Sequence, residues 1–142
     1  MRIISGKYRG RKLNSPPGDK VRPTSDRLRE ALFNILCNRI VGARVLDLFT
    51  GSGAVAIEAI SRGASSAVCV DLDTATAIKN IELVGCDSIS LIKADYARAI
   101  EALAGNGETF DIIYIDPPYK MDYTEIISAV GRVAEKGTLL IA

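Results

Sequence analysis

The sequence reads VLDLFTGSGAVAI from residue 45 to residue 57, and this segment is the clearest indication of the fold class. An apolar run ends near Asp47, glycines follow at Gly51 and Gly53, and a second apolar segment then begins. This order predicts a buried strand, a tight turn in which the backbone can approach a ligand, and a helix. A nucleoside is the ligand that such a turn favours.

The chain after Arg44 continues this alternation. We predict strands near 45–49, 67–71, 89–93, 110–115 and 138–142, with helices near 53–62, 74–85, 96–104 and 123–134. The strands are near-continuous apolar runs, as in FDIIYI at 110–115, which is typical of a parallel sheet covered on both faces. The predicted fold class is therefore α/β, a doubly wound and mainly parallel sheet that binds ligands beyond the carboxyl ends of its strands.

The segment before Arg44 has a different character. Residues 1–22 form a basic N-terminal arm or hairpin in our prediction, with turns at Gly6 and Gly10, and residues 23–142 form the main domain. A helix should begin at Thr24 or Ser25, where a hydroxyl can cap it. Its buried stripe is predicted from helical spacing to be Leu28, Ala31, Leu32, Ile35 and Leu36.

Composition excludes several classes of function. The balance of 48% hydrophobic and 25% charged residues is that of a soluble domain. Cys37, Cys69 and Cys86 are widely spaced and the chain has no His, so no metal site, disulfide framework or His-dependent triad is expected. No apolar run approaches ~20 residues, so we expect no membrane span. The unpaired cysteines fit a cytoplasmic location. Without His, the chemistry is expected to depend on carboxylates, backbone groups and a cofactor.

Charge is divided unevenly along the chain. Residues 1–44 hold 11 of the 18 Lys and Arg but only 3 of the 17 Asp and Glu, a net charge of +8, whereas residues 45–142 carry −7. Basic residues cluster in one short stretch: Lys7, Arg9, Arg11, Lys12, Lys20 and Arg22. Composition alone leaves open whether this stretch is a solvated face or a surface that binds phosphate.

Four aspartates lie at the ends of predicted strands: Asp47, Asp71, Asp95 and Asp116. Each alone is explained by a turn or a helix cap. Together they predict one rim that binds a polar ligand through several of its donors. The turn also fits G-x-G-x-x-A, and Asp71 follows Gly51 by 20 positions, so a nicotinamide dinucleotide remains open as the ligand.

The motif Asp116-Pro117-Pro118-Tyr119 follows the fourth predicted strand directly. Two prolines fix the backbone, so the carbonyl of Pro117 is held in one direction. A carboxylate and a carbonyl can accept the two N–H groups of an exocyclic base amine, and Tyr119 offers a ring for stacking on the base. The alternative is an ordinary proline turn after a strand.

These residues resemble a known family. MRIISGKYRGRKL at 1–13, RPTSDR at 22–27 running into EALFN at 30–34, the turn at 47–53 and EAISRGA at 58–64 are similar to the RsmD family of small-subunit ribosomal RNA guanine-N2 methyltransferases. The resemblance implies a Rossmann-like class I methyltransferase that uses S-adenosylmethionine. Its partner would be ribosomal RNA or an assembling small subunit.

The resemblance also implies roles for individual residues. Asp47, Gly51, Gly53 and Thr24 would contact the methionine end of the cofactor, Asp71 the ribose and Asp95 the adenine. Asp116 and Pro117 would hold the guanine amine, with Pro118 completing the rigid turn and Tyr119 on the base. Lys7, Arg9, Arg11, Lys12 and Arg22 would grip the RNA.

The chain departs from the family pattern in two ways. Asp71 stands where the family usually has Glu, and the family continues past Ala142 with a further antiparallel strand pair, which we expect to be missing here. Three other functions stay open: an adenine-N6 DNA methyltransferase, a nicotinamide-dependent oxidoreductase and a non-catalytic RNA-binding module.

Overall fold

Strands and helices alternate along the chain in a computed structural model, which describes residues 1–17, 25–118 and 121–142. The strands are β1 (Arg44–Leu48), β2 (Ser66–Asp71), β3 (Ile89–Lys93), β4 (Phe110–Ile115) and β5 (Ala134–Ile141). The helices are α1 (Asp26–Leu36), α2 (Ala54–Ser61), α3 (Ala75–Val84), α4 (Tyr96–Gly105) and α5 (Tyr123–Val130). The strands form one sheet in the order β3-β2-β1-β4-β5, and each pairing between them is parallel. The predicted doubly wound α/β sheet is confirmed.

Both faces of the sheet are covered. Val45 and Ile112 belong to a core that includes residues of α1, α2 and α3, whereas Leu46 and Ile113 belong to a second core with residues of α4 and α5. Neighbouring positions on one strand therefore face different cores. This burial on both sides explains why the strands are apolar without alternation.

Helix α2 is buried at each of its eight positions, polar residues included. The N-terminal segment covers it, because Ile3 and Leu13 join the same core. This segment closes as a hairpin through an antiparallel bridge between Arg2 and Lys12. We call residues 1–14 the basic hairpin.

The predicted buried stripe of α1 is wrong for Leu28, Ala31 and Ile35, although Leu36 is buried and Leu32 packs against the core. Ser25 caps the helix as expected, but the buried residues are Arg29, Phe33 and Leu36. Leu28 and Ile35 are 58% and 81% exposed, and Ala31 is exposed as well. The helix is rotated because the Arg29 guanidinium turns inward to acidic partners, and Phe33 packs under the Arg62 guanidinium at 5.0 Å.

The last predicted helix and strand meet earlier than expected. Helix α5 ends at Val130 rather than near 134, a 3₁₀ turn follows over Gly131–Val133, and β5 starts at Ala134 rather than 138. The pairing of β5 with β4 is irregular between Phe110 and Ile112, where Thr138 Oγ1 donates to the Phe110 carbonyl at 2.7 Å. The bulge hides the first part of this strand from the sequence pattern. The other strand and helix ends agree with the prediction within about two residues.

Two further observations concern the described part of the chain. None of its helices combines the length and apolar character needed to cross a membrane. The three cysteines are free, with Cys69 and Cys86 buried and Cys37 exposed.

Candidate functional site

The sheet changes winding direction between β1 and β4. From β1 the chain moves to β2 and β3 on one side, while β4 and β5 lie on the other. Leu48 pairs with Ile115, so the segments that follow these two residues leave from adjacent positions at the carboxyl edge. Ligands of doubly wound sheets bind at this point of reversal. The structure therefore brings the glycine turn, residues 49–53, together with Asp116.

Asp47 lies beneath the glycine turn and is buried. Its Oδ2 accepts a hydrogen bond of 2.6 Å from the Thr50 hydroxyl. Burial is the main cause that raises the pKa of Asp47 to about 7; the nearby charges of Asp71 and Asp116 contribute less, and the hydrogen bonds that stabilise the carboxylate oppose the rise. The three carboxyl groups thus share one electrostatic environment, which favours a ligand with donors or positive charge.

Asp71 is half-buried at the end of β2 and also supports the turn. Its Oδ2 accepts from the Gly51 backbone N–H at 2.8 Å, and its Oδ1 accepts from Asp73 N–H at 3.3 Å. Gly51 has φ of 57°, and no atom lies within 4 Å of the position that a Cβ would take. The turn is therefore open where a ligand would approach its backbone.

Asp95 follows the carboxyl end of β3, and Asp116, Pro117 and Pro118 follow that of β4. Asp95 precedes α4 and is exposed, and its side chain makes no capping hydrogen bond. Asp116 is exposed directly after β4, and partial burial of its carboxyl raises its pKa. Within the described residues, no hydrogen bond reaches the carbonyl of Pro117. Pro118 accepts from Met121 N–H at 3.3 Å. Tyr119 and Thr24 lie outside the described residues.

Sequence reasoning missed an aromatic pair at the rim. Phe49 has φ of 60°, a left-handed conformation that is strained for an aromatic residue, and this ends β1 one residue before the predicted position. Its ring lies 5.6 Å from the Tyr96 ring at 50°. No residue type in the motif signals a positive φ at this position. Carboxylates, an open glycine and aromatic faces together suit a nucleoside with a charged end.

The basic hairpin is docked on α2 through its own backbone. Glu58 accepts from Ile4 N–H at 2.8 Å and from Ser5 N–H at 3.1 Å. Ser61 accepts from Lys7 N–H at 2.9 Å through its carbonyl and from Tyr8 N–H at 3.0 Å through its hydroxyl. These hydrogen bonds to α2 use backbone N–H groups of the hairpin, so they do not occupy its basic side chains.

Gly6 allows this close approach. A Cβ at this position would lie 1.8 Å from the carbonyl oxygen of Ser61, and its φ is 89°. Gly10 shares the positive φ, at 86°, but has no atom within 4 Å of a Cβ. Gly6 is therefore required for docking, whereas Gly10 serves only the turn.

A buried ion network supports the docked hairpin and was not predicted. Glu58 pairs with Arg62 Nε at 2.9 Å and lies 3.9 Å from Arg29 Nε, and both Arg29 and Glu58 are fully buried. Arg29 also pairs with Asp26 at 2.8 Å and donates to the Arg2 carbonyl. Burial lowers the pKa of Arg29 despite these acidic partners. Its pairing depends on residues about 30 positions apart, which sequence spacing does not show.

The predicted phosphate-binding residues of the hairpin are on the surface. Lys7, Arg9, Arg11 and Lys12 are exposed. Arg11 is partly engaged, since its guanidinium donates to the Leu83 carbonyl at 3.2 Å. Lys7 Nζ lies 4.9 Å from the centre of the Tyr8 ring. Arg22 lies outside the described residues.

The chain is thus a doubly wound α/β domain with aspartates along the carboxyl edge of its sheet. A family described as Conserved hypothetical protein 95 matches residues 1–141. Ribosomal RNA small subunit methyltransferase D of Escherichia coli (strain K12) is 40% identical over 130 residues, which cover 88% of this chain and 63% of that protein. The chain thus spans less than two thirds of this relative.

Solved structures agree with this similarity. A hypothetical protein of Thermus thermophilus is 33% identical with a TM-score of 0.87, covering 99% of this chain and 83% of that one. SMU.776, assigned as a methyltransferase and solved in complex with SAH, is 25% identical with a TM-score of 0.68, covering 80% of this chain and 33% of that one.

The chain therefore has a Rossmann-like α/β fold, which it shares with solved structures that include a methyltransferase. It belongs to the family described as Conserved hypothetical protein 95, and the resemblance to the RsmD family is confirmed. Two of these three relatives are named as methyltransferases, and none of the three is named as a nicotinamide-dependent enzyme.

Proposed function

We propose that this chain transfers a methyl group from S-adenosylmethionine to the exocyclic N2 of a guanine in small-subunit ribosomal RNA. One observation carries the proposal: Asp116 and Pro117 follow β4 directly beside the glycine turn after β1. A base held by the first motif would face a cofactor held by the second. A ribosomal substrate also implies a cytoplasmic location.

The rim offers the groups that the cofactor requires. We assign its methionine end to Asp47, Gly51, Gly53 and Thr24, its ribose to Asp71 and its adenine to Asp95. S-adenosylmethionine, when bound, supplies an electrophilic methyl group on a positively charged sulfur. The Asp47 and Asp71 carboxyl groups, which both contact the glycine turn, support this assignment, as does the SAH complex of the related SMU.776.

The chain itself positions the amine. The Asp116 carboxylate and the Pro117 carbonyl would accept the two N–H groups of the guanine amine, which favours localising the nitrogen lone pair toward the cofactor. Asp116 must be ionised to accept, and it can hold the proton that the nitrogen releases after transfer. Because partial burial raises the pKa of Asp116, we expect turnover to fall as the pH drops through that raised value.

The aromatic and basic residues complete the proposed substrate site. Pro118 completes the rigid turn, and Tyr119 would stack on the base. Lys7, Arg9, Arg11, Lys12 and Arg22 would contact phosphates. The backbone docking of the hairpin on α2 supports this, because it leaves Lys7, Arg9 and Lys12 exposed without using their charges.

Methyl transfer to defined nucleic acids tests the proposal. The chain is incubated with labelled cofactor and small-subunit ribosomal RNA, assembling subunits or duplex DNA, and digested nucleosides are separated by mass spectrometry. Label in N2-methylguanosine is expected from one of the two ribosomal substrates. Label only in N6-methyladenine would establish the DNA alternative. RNA binding without label from any substrate would establish the non-catalytic module.

A further inference from the structure

Asn80 is a fully buried polar side chain on α3 that links two distant segments. Its Oδ1 accepts from the Asn14 N–H at 2.7 Å, and its Nδ2 donates to the Asn14 carbonyl at 3.0 Å and to the Ser52 carbonyl at 2.8 Å. The carboxamide thus pairs with the Asn14 backbone as a neighbouring strand would. Its second N–H reaches the glycine turn.

The segments joined by Asn80 belong to the two proposed binding sites. Ser52 lies between Gly51 and Gly53 in the glycine turn, and Asn14 ends the basic hairpin. The open end of the hairpin is closed by the Leu13 N–H, which donates to the Met1 carbonyl at 2.8 Å. The open end of the hairpin and the glycine turn are therefore both hydrogen-bonded to the same buried side chain, Asn80.

Two other contacts tighten the same junction. The Ser52 hydroxyl lies 3.8 Å from Sδ of Met1, the first residue of the hairpin, which is paired with Leu13 at the open end. Helix α3 packs against the turn, since Ala77 Cβ lies 3.5 Å from where a Cβ on Gly53 would be. A displacement of the glycine turn would therefore shift contacts to both Met1 and Asn14 at the open end of the hairpin.

We propose that Asn80 is a positioning residue that couples the basic hairpin to the glycine turn, so that cofactor binding and RNA binding strengthen one another. The inference rests on the proposed function, which assigns the cofactor to the turn and RNA to the hairpin. Coupling between binding sites is reciprocal, so the effect can be measured from either side.

The test measures the affinity of the chain for a small-subunit ribosomal RNA fragment with and without saturating S-adenosylhomocysteine. The unsubstituted chain should bind RNA about 5- to 10-fold more tightly when S-adenosylhomocysteine is present, which is within the usual range of such couplings. Asn80→Asp keeps an acceptor for the Asn14 N–H but loses both donated hydrogen bonds. The ratio of the two affinities should then fall to about 1.

Asn14→Ala is the matched control. Asn14 is exposed and contributes only backbone groups to the junction, so the full ratio should be retained. A merely structural role of Asn80 would weaken both affinities in Asn80→Asp and leave their ratio unchanged. That result, or a ratio of 1 in the unsubstituted chain, would overturn the coupling.

Hydrogen exchange of the unsubstituted chain decides the question if Asn80→Asp does not fold. S-adenosylhomocysteine should slow exchange of the Leu13 and Asn14 amides, and unchanged exchange in its presence would refute the inference. Failure of the proposed function looks different. In that case the unsubstituted chain would bind no S-adenosylhomocysteine, or would bind RNA with an affinity that Arg9→Ala does not alter.

Discussion

The glycine-turn rim and the basic hairpin are positioned in opposite ways. At the rim, side chains hold the turn: Asp71 accepts from the Gly51 backbone N–H, and Asp47 accepts from the Thr50 hydroxyl. In the hairpin, the backbone is held by a neighbouring helix through Glu58 and Ser61. In our proposal, residues at the rim therefore combine structural and chemical roles, whereas docking of the hairpin on α2 does not involve its charges.

The largest expected effect comes from Asp116, the one rim carboxylate for which we propose contact with the reacting amine. Asp116→Ala should lower turnover by about 10²–10³-fold, because it removes an acceptor aimed at the amine. Cofactor affinity should change by less than about threefold, since Asp116 is not among the groups assigned to the cofactor. Labelled methyl transfer and calorimetry measure the two quantities.

Glu101→Ala, an exposed change on α4, is the control for Asp116→Ala. Equal losses of turnover and cofactor affinity in Asp116→Ala would contradict the separation of roles.

Asp71→Ala should lower the affinity for the cofactor by about 10- to 100-fold, since it removes the carboxylate that accepts from the Gly51 N–H and, in our proposal, from the ribose hydroxyls. Turnover at saturating cofactor should change little, which titration calorimetry and methyl-transfer assays can compare. An unaltered cofactor affinity in Asp71→Ala would show that Asp71 does not bind the cofactor.

Gly6→Ala tests whether docking depends on close backbone approach. The added Cβ would meet the Ser61 carbonyl oxygen, so the free energy of unfolding should fall by about 1–3 kcal/mol beyond the strain of the positive φ. Gly10→Ala carries only that strain, about 1 kcal/mol, and is the matched control. Chemical denaturation of both variants gives the difference, and equal losses would mean that docking does not need Gly6.

Arg9→Ala should weaken RNA binding without destabilising the fold, because the hairpin is docked through its backbone. The slope of log affinity against log salt should flatten by about 0.7–0.9 for one lost phosphate contact. Arg11→Ala should have a smaller effect, since its guanidinium is already engaged at Leu83. An unchanged slope in Arg9→Ala would return this surface to ordinary solvation.

Asp47 should produce an effect of another kind, a pH dependence of stability. Burial raises the pKa of Asp47 to about 7, so the folded chain binds a proton that an unfolded Asp releases near pH ~4. Stability should therefore decrease as the pH rises from about 4 to about 7. Asp47→Asn should reduce this decrease, which thermal unfolding without cofactor at several pH values can measure. An identical pH profile in the variant would contradict the assignment.

The sequence predicted those features that depend on local pattern. Apolar runs such as 110–115 identified the strands, and parallel strands necessarily bring Asp47, Asp71 and Asp116 to one edge. Long-range partners were not predictable in the same way. Arg29 faces inward, where it donates to the Arg2 carbonyl and lies beside the buried Glu58. These contacts with distant parts of the chain rotate α1 away from its expected stripe.

The missed site features share this cause. An Asn in a helix is usually a surface residue, and nothing near Asn80 indicates that the backbones of Asn14 and Ser52 meet it. The positive φ of Phe49 likewise depends on the packing around the turn rather than on its residue type. Local pattern therefore predicted where the site lies, but not the contacts that hold it.

A crystal structure of the chain with S-adenosylhomocysteine and a guanine-containing fragment of small-subunit ribosomal RNA tests the central claim most directly. We expect the guanine N2 to lie about 3 Å from both the Asp116 carboxylate and the Pro117 carbonyl, facing the cofactor sulfur. A bound guanine whose amine points away from these two groups would contradict the account.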